Sequence, residues 1–465
     1  MVFASLVFLY LYLPLFLLLY FSVRHQGWRN SLIVAFSLFF YGWGEPLWIS
    51  LLIFATTFDY VVARIIAGCL GTQKAKVALV ISLMSNLGIL AVFKYSDLIV
   101  RSINDVAGIA LSPPGFALPV GISFYTFHTI NYVVDVYRGE VPAQRSYLKM
   151  LLFVSLFPQL VAGPIVRYVH VANDIDHRTT SWELVSKGLT RVCFGLFKKV
   201  CIANVAGELV HRYLDGDLAT LSVAEAWFGL LMFTVQIYFD FSGYSDMAIG
   251  LGLMMGFHIH ENFKHPYVAR SVSDFWRRWH ISLSSFFRDY VYIPLGGKNR
   301  RPYRNLFIVW ALTGLWHGAS WNFMLWGLYF GVLIAAERLF LAKLLERLPR
   351  ALQHGYLLFL VVVGWALFYF TDFTRLAEFG AVLFGRTDAA LAGPDVGGVV
   401  LAHAFWIVLT IALCMPVGTW LKERVRPRPG VVVVVGVVAL NVAIVLLCTA
   451  LLVGKSYNPF LYFRF

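Results

Sequence analysis

The chain has 465 residues, of which 59% are hydrophobic and only 14% are charged. An average globular domain is about 45–50% apolar and about 25% charged, so these proportions exclude an ordinary soluble domain and a disordered chain. A net charge of +13 would suggest nucleic acid binding in a soluble protein, whereas in a membrane protein it reflects Lys and Arg in cytoplasmic loops. We therefore predict a multi-pass membrane protein that binds no nucleic acid.

Apolar runs recur along the whole chain. The first 23 residues are long enough to cross a bilayer and lack the basic start and cleavage site of a removable signal, so we expect a retained first helix. Some later runs are too short to cross a core of about 30 Å at about 1.5 Å per residue. The sequence therefore predicts roughly ten to twelve transmembrane helices with additional re-entrant or interfacial helices. The later runs lie at about 31–43, 47–68, 77–93, 118–134, 150–166, 188–209, 224–239, 245–257, 306–330, 331–344, 356–371, 401–421 and 431–453.

Glycine and proline interrupt these runs at Gly44-Glu45-Pro46, Pro113-Pro114-Gly115 and Gly163-Pro164. Such residues end helices. Backbone broken at membrane depth is tolerated only where protein or a water-filled cavity satisfies its polar groups, so the breaks indicate an internal funnel. No repeat of 20–50 residues and no long linker divides the chain, and we predict a single integral domain over residues 1–465.

Basic residues concentrate in one segment. Between Lys264 and Arg304, nine Lys and Arg residues stand against two acidic ones, so this segment carries +7 of the net charge. The positive-inside rule places it, and the Lys422–Arg428 loop, on the cytoplasmic side. Interleaved aromatic residues suit an amphipathic helix at the interface. The segment is then either an anchor that fixes topology or a basic face that binds phosphate groups.

Polar residues inside the apolar runs form a second informative set, because acidic side chains are costly in hydrocarbon and usually face the interior of a helix bundle. Asp240 and Asp246 are six residues apart, which is not one helical face, so we interpret them as caps or lining groups around a bend at Ser242-Gly243. His128 and Asn131 are three residues apart and either line a polar tunnel or hydrogen-bond between helices.

Two of the twelve histidines have distinctive surroundings. His280 lies in DFWRRWHISLSSFFRDY, where a helix would place Trp276, His280 and Ser284 on one face. His317 lies in LTGLWHGASWNFMLWG, which contains no carboxylate. A buried neutral imidazole can act as a general base, and the alternative for each histidine is a hydrogen-bonded packing role.

Other catalytic and metal-binding patterns are absent from the sequence. The five cysteines stand in apolar stretches without a C-x-x-C pair, the histidines form no H-E-x-x-H, and no G-x-S-x-G elbow occurs. These absences argue against a zinc site, a disulfide framework and a serine hydrolase. We expect buried cysteines, no metal and no bound cofactor.

The two histidine segments together resemble the signature of the membrane-bound O-acyltransferase family. The segments ALPVGISFYTFHTINYVVDVYRGE, FPQLVAGPIVR, QIYFDFSGYSDMAIGLGLMMGF and YNPFLYFRF are similar to its bacterial alginate O-acetyltransferase branch. The resemblance covers nearly the whole chain, with a signature core at about 118–330. Close relatives acetylate cellulose or other surface polysaccharides, so the polymer stays open.

The resemblance implies an all-α ring of membrane helices around a funnel that opens to the cytoplasm, in a bacterial inner membrane. It also implies an O-acetyltransferase whose motif histidines match His317 and His280. Acetyl transfer needs a base, donors for the oxyanion and exclusion of water. We predict that His317 is the base and that His280 contacts donor or acceptor. Further candidates for lining the tunnel or steering an anionic donor are Asp240, Asp246, Asn131, Trp316, Arg277, Arg278 and Arg288.

The implied donor is cytoplasmic acetyl-coenzyme A or another acyl thioester, and the polymer is outside the cell. The implied partners are the lipid bilayer, a periplasmic or membrane-anchored serine-esterase-like acetyltransferase, and a polysaccharide synthase or export complex. Two other classes stay open. A transporter of an acyl carrier would also have broken helices and interior carboxylates, and a structural scaffold for a polymer synthase would need neither histidine.

Overall fold

The computed structural model describes residues 1–418, 430–454 and 460–461 of the chain. All of its regular elements in these ranges are helices, which confirms the all-α prediction. The chain divides into two compact units, Met1–Leu196 with Tyr244–Glu261, and Phe197–Gly243 with Asn262–Phe465. The predicted cytoplasmic loop Lys422–Arg428 and most of the YNPFLYFRF segment lie outside the described residues.

A buried polar network joins three helices of the first unit. Ser82 Oγ donates to one carboxylate oxygen of Asp59 at 2.6 Å, and Asn86 Nδ2 donates to the other at 2.7 Å. Thr129 Oγ1 donates to Oδ1 of the Asn86 side chain at 2.9 Å. A buried carboxylate is tolerated only with such partners, so the network fixes how these helices pack. The α-helices of this unit are Leu13–Ser22, Gln26–Gly44, Ile49–Gly68, Gln73–Leu90, Ser96–Ala107, Ile122–Tyr137, Tyr147–Ser155, Phe157–Leu160, Tyr168–His177 and Trp182–Phe197.

Aromatic side chains fill the core of the second unit. Trp326 and Trp365 are almost completely buried, and the Trp276 ring meets the Trp326 ring edge-on with centroids 5.4 Å apart. Such pairs add about 0.5–1.5 kcal/mol each beyond area burial. The α-helices that contribute to this unit are Asn204–Leu214, Val223–Met255, Val272–Arg278, Ile281–Phe287, Pro302–His317, Trp321–Ala336, Ala342–Arg347, Arg350–Tyr369, Phe373–Leu383, Pro394–Ala402, Ala404–Cys414 and Val431–Leu452.

Short π-helical and 3₁₀-helical turns interrupt or connect many of these α-helices. Five-residue and six-residue π-helical turns occupy Phe8–Tyr12, Ala91–Tyr95, Lys198–Ala203, Arg288–Tyr292 and Glu337–Leu341, and 3₁₀ turns occupy Leu218–Thr220 and Pro266–Val268. π-helical turns are rare and often lie at functional sites. Two of them here, Arg288–Tyr292 and Glu337–Leu341, contribute residues to the cavity described below.

Four helical segments among the described residues are long and apolar enough to cross a membrane: Ile49–Gly68, Gln73–Ala107, Arg350–Tyr369 and Val431–Leu452. Asp395–Ala402 and Ala404–Cys414 form a fifth candidate, bent by 67°. This number is below the ten to twelve expected from the apolar runs. Many of the remaining helices are too short by length alone, such as the 16-residue Pro302–His317, which fits the expectation that several runs do not cross on their own.

The predicted bend at Ser242-Gly243 is wrong, because Val223–Met255 is one continuous helix of 33 residues. A mid-helix glycine costs only about 1 kcal/mol relative to alanine, which packing easily offsets. Asp240 and Asp246 are therefore not caps. By contrast, a helix ends at Gly44 as predicted, and the structure has no helix over Pro113-Pro114-Gly115 or Gly163-Pro164.

Candidate active site

Two closely packed helices position His317, which is the last residue of Pro302–His317. The partner helix is Trp321–Ala336, and two glycines permit the close approach. A Cβ atom on Gly314 would lie 2.3 Å from the Phe323 carbonyl oxygen, and one on Gly327 would lie 2.3 Å from the Trp310 carbonyl oxygen. Any larger residue would push the helices apart and displace His317.

Aromatic rings surround the His317 imidazole, which is 7% exposed. Its ring meets those of Trp326 and Phe368 edge-on, with centroids 4.9 Å and 5.2 Å apart. The Trp316 ring lies 4.9 Å from His317 and 5.7 Å from His280. Trp316 thus contacts both imidazoles, and the structure brings the two predicted histidines into one aromatic cluster.

His280 lies at a break between two short helices. The helix Val272–Arg278 ends before it and Ile281–Phe287 begins after it, so the continuous helical face assumed from the sequence is wrong. His280 has the left-handed conformation, with φ of 44°, which is strained for a residue with a side chain and is typical of functional positions. Trp276, His280 and Ser284 nevertheless line the same cavity.

A buried asparagine orients the His280 ring. The Asn262 side-chain oxygen lies 3.1 Å from His280 Nδ1 and also accepts the backbone N–H of Ser282 at 3.2 Å. Because a backbone N–H can only donate, this atom is the oxygen, and His280 Nδ1 carries the proton. Nε2 is left with its lone pair, and it has no hydrogen-bond partner among the residues that the structure describes.

Burial keeps His280 neutral. The residue is 2% exposed and lies outside the candidate membrane-spanning helices. Desolvation lowers its pKa to about 3, because removal of water disfavours the charged imidazolium. Near neutral pH the free Nε2 therefore accepts hydrogen bonds.

A cavity of about 510 Å³ contains both histidines. Its volume is within the range of about 300–1,000 Å³ that is typical of small-molecule sites. The buried part is lined by His280, His317 and tryptophans, and three exposed arginines, Arg277, Arg288 and Arg338, also line it. The cavity thus combines positive charge at exposed positions with two buried imidazoles, of which His280 is neutral.

A second, much smaller cavity lies on another side of the His317 ring. It leaves about 20 Å³ for the centre of a water-sized group and is lined mostly by aromatic and aliphatic side chains. Asp240 also lines it and forms an ion pair with Lys199, with 2.6 Å between Nζ and Oδ1. His317 is the one described residue with a titratable imidazole that lines both cavities.

The remaining candidates from the sequence are distributed differently. Arg278 pairs with Asp274 at 3.1 Å and is not among the described residues that line either cavity. Asp246 and Asn131 belong to the first unit. There Asp246 pairs with Arg191 at 2.8 Å, and Asn131 bonds the Val166 carbonyl and the Tyr168 N–H. Their surroundings are those of structural residues.

Several residues of the site were not predicted. Asn262 lies in a polar loop before the His280 motif, and no periodicity distinguishes it. Arg338 follows an apolar helix and resembles an ordinary membrane-end cation. Trp276 was predicted only to share a helical face with His280 and Ser284, and Trp326 had no predicted role, yet their indole N–H groups are buried without hydrogen-bond partners among the described residues.

Comparison with known proteins identifies the chemistry. A family model described as "MBOAT, membrane-bound O-acyltransferase family" matches residues 33–375. Over the full length of both chains, the protein is 38% identical to the "Probable alginate O-acetylase AlgI" of Pseudomonas putida. A protein of the same description from Pseudomonas aeruginosa is 40% identical over 87% of this chain and 80% of that protein.

A third relative has a different acceptor in its name. The "Peptidoglycan O-acetyltransferase" of Helicobacter pylori is 35% identical over 71% of this chain and 69% of that protein. The family match and the full-length similarity agree with the resemblance of the two histidine motifs, and they favour an enzyme over a transporter or a scaffold. The chain belongs to the membrane-bound O-acyltransferase family and is a membrane-embedded O-acyltransferase.

Proposed function

We propose that this O-acyltransferase takes an acetyl group from a cytoplasmic thioester and passes it across a bacterial inner membrane for O-acetylation of an exported polysaccharide. The observation that carries the proposal is the single cavity of about 510 Å³ that contains both motif histidines and three arginines. Guanidinium groups bind phosphate oxygens in a bidentate manner, which suits the phosphate groups of a coenzyme A thioester. The imidazole of His317 supplies the base that acyl transfer requires.

In the proposed reaction, the bond between the acetyl carbonyl carbon and sulfur is replaced by a bond between that carbon and oxygen. His317 removes the proton from the acceptor hydroxyl, whose oxygen attacks the thioester carbonyl. The new C–O bond forms, the C–S bond breaks, and the proton passes from His317 to the departing thiolate. His280 accepts a hydrogen bond through Nε2, which suits positioning of the hydroxyl better than donation to the thioester carbonyl.

The oxyanion formed during transfer needs hydrogen-bond donors. Trp276 lines the larger cavity and Trp326 lines the smaller one, and each has a buried indole N–H without a partner among the described residues. These two N–H groups are the proposed oxyanion donors. The aromatic walls around His317 exclude water that would otherwise hydrolyse the donor.

The names of the relatives support the proposed acceptor polymer, and the partners are proposed from the resemblance of the sequence motifs. Two full-length or nearly full-length relatives are named for alginate, which favours an alginate-like polymer. Cellulose is the alternative that the motif resemblance implies, and another surface polymer is a further one, since one relative is named for peptidoglycan. A serine-esterase-like acetyltransferase outside the membrane and a polysaccharide synthase or export complex are the proposed partners.

Reconstituted transfer tests the proposal. Liposomes that contain the purified protein receive labelled acetyl-coenzyme A outside and alginate oligosaccharides inside. We expect labelled acetyl esters inside and free coenzyme A outside, and neither in liposomes without protein. Parallel liposomes filled with cellulose oligosaccharides compare the two polymers. A folded protein that releases no coenzyme A and transfers no label would contradict the proposal.

The positive charge of Lys264–Arg304 predicts that this segment is cytoplasmic. Asn299 is exposed in a turn between Lys298 and Arg300. In a variant without the native cysteines, Asn299→Cys should react with an impermeant thiol reagent only from the cytoplasmic side. A permeant reagent serves as the control for reactivity. Labelling from the periplasmic side alone would overturn the assignment.

His280→Gln tests the proposed positioning of the acceptor. We expect acetyl transfer to fall about tenfold to hundredfold, because a hydrogen bond to a group that becomes charged contributes about 1.5–3 kcal/mol. Ser282→Ala is the matched control, since Ser282 Oγ donates to the same Asn262 oxygen at 2.9 Å and does not line either cavity. Wild-type transfer by folded His280→Gln would remove His280 from the site.

A further inference from the structure

The small cavity beside His317 has about the size of one methyl group. The 20 Å³ that it leaves for the centre of a water-sized group is little more than the 10–15 Å³ needed to hold a single water molecule. Its walls are mostly aromatic and aliphatic, and their polar groups include Asp240, His317 and the Trp326 N–H, so it suits a hydrocarbon group better than water. An acetyl group held at His317 would place its methyl carbon here.

Two residues near the C-terminus close this cavity. Phe460 and Leu461 line it together with Ile237, Phe241 and Phe368, and both are buried. The other walls come from helices in the core of the second unit. A longer acyl chain would have to displace the side chain of Phe460 or Leu461.

A buried ion pair holds these two residues in place. The Leu461 N–H donates to Asp240 Oδ2 at 2.7 Å, while Lys199 pairs with Oδ1 of the same carboxylate. Asp240 is 1% exposed and Lys199 is 4% exposed. Because both charges are removed from water, the pair is maintained only with close geometry and a partner for the second oxygen. The Leu461 backbone supplies that partner.

We infer that Phe460 and Leu461 form the floor of an acyl chamber that admits a two-carbon acyl group and excludes longer ones, and that Asp240 fixes this floor. The inference rests on the proposed acyl transfer at His317. It assigns Asp240 a positioning role through the Leu461 backbone, which accounts for its location in the cavity wall. It also makes chain-length selectivity a property of the region around Leu461.

Competition between thioesters tests the inference. Purified wild-type protein and variants are given acetyl-, propionyl- and butyryl-coenzyme A, and the butyryl-to-acetyl transfer ratio is measured in each preparation. This ratio does not depend on the amount of folded protein. One methylene group in an apolar pocket changes selectivity by about 10–200-fold. We expect Leu461→Ala and Phe460→Ala each to raise the ratio at least about tenfold.

Two further variants separate the chamber from general loosening of the core. Leu345→Ala is the matched control, because Leu345 is 6% exposed against 7% for Leu461 and lines neither cavity. Its ratio should stay at the wild-type value. Lys199→Met combined with Asp240→Leu removes both charges of the ion pair and the acceptor of the Leu461 N–H, and its ratio should rise because the floor is held less firmly.

The outcomes distinguish this inference from the proposed function. If the wild-type protein transfers acetyl but Leu461→Ala and Phe460→Ala leave the ratio unchanged, the chamber is refuted while the proposed function stands. An equal rise in Leu345→Ala would also refute it. If the double charge variant keeps the wild-type ratio, Asp240 does not fix the floor. Failure of the wild-type protein to use acetyl-coenzyme A refutes the proposed donor and this inference together.

Discussion

Replacement of His317 by glutamine is expected to reduce acetyl transfer by about 10²–10⁴, the range that a general base contributes. This loss corresponds to roughly 3–5.5 kcal/mol of activation free energy. A hydrogen bond between membrane helices contributes on average only about 0.6 kcal/mol to stability. A packing role and a catalytic role for His317 therefore predict effects that differ by several kcal/mol, and the measurement separates them.

The comparison requires a histidine outside the site. His354 is half-buried, bonds the Ala269 carbonyl through Nδ1 at 2.9 Å, and lines neither cavity. We expect His354→Gln to keep transfer within about twofold of wild type, because one packing hydrogen bond contributes little. Transfer is normalised to folded protein, measured by thermal unfolding in detergent. Full activity of folded His317→Gln would contradict the base assignment, and loss of activity only in proportion to loss of folded protein would favour packing.

The two histidines of the site were predictable because they lie in short continuous motifs. The residues that surround them in the site were not predictable. His317 and His280 stand in continuous segments whose residues can be compared directly with a family signature. The partners come from other parts of the chain: Asn262 lies in the loop that precedes the His280 helices, and Arg338 lies in the π-helical turn beyond Trp321–Ala336. Only the packing of helices brings them together, and no local pattern encodes that packing.

Predictions of backbone conformation from local sequence were wrong at two places where contacts with distant residues determine that conformation. Ser242-Gly243 favours a bend, yet the helix continues through this pair, and the adjacent residues Phe241 and Tyr244 are buried. Asp240 in the same helix forms an ion pair with Lys199, which lies in a separate helical turn. The amphipathic pattern around His280 favours one helix, yet Asn262 hydrogen bonds hold His280 in the left-handed conformation. In both places tertiary contacts outweigh an intrinsic preference of about 1 kcal/mol.

The all-α class could be predicted from the sequence more readily than the number of helices that span the membrane. Apolar composition and the requirement to satisfy every backbone polar group in lipid allow helices and closed barrels, and long unalternating apolar runs favour helices. The number of spans depends on where each run breaks. A run such as 306–330 divides between Pro302–His317 and Trp321–Ala336, because the chain turns at the residues that follow the catalytic candidate.

The second large effect concerns the stability of the buried ion pair. Lys199→Met would leave the Asp240 carboxylate without a cation in a site that is 1% exposed. Removal of one partner from a buried pair typically costs about 3–5 kcal/mol, because an uncompensated charge remains in a medium of low polarity. We expect the unfolding temperature in detergent to fall on the order of 10 °C.

Two further variants test whether the loss of stability in Lys199→Met comes from the buried Asp240 charge. Asp240→Asn added to Lys199→Met removes the stranded charge, and we expect it to restore most of the lost unfolding temperature, since replacing both members of a buried pair is often nearly neutral. Lys187→Met breaks the exposed pair with Glu183, whose side chains are 64% and 74% exposed, and should leave the unfolding temperature close to that of the wild type, because water screens exposed ion pairs. If Lys199→Met were as mild as Lys187→Met, loss of the buried cation would not destabilise the protein and this expectation would be wrong. If the double variant were no more stable than Lys199→Met, the loss would come from the lysine's packing. Recovery in the double variant would show that the loss in Lys199→Met comes from the Asp240 charge left without its cation, in the wall of the cavity beside His317.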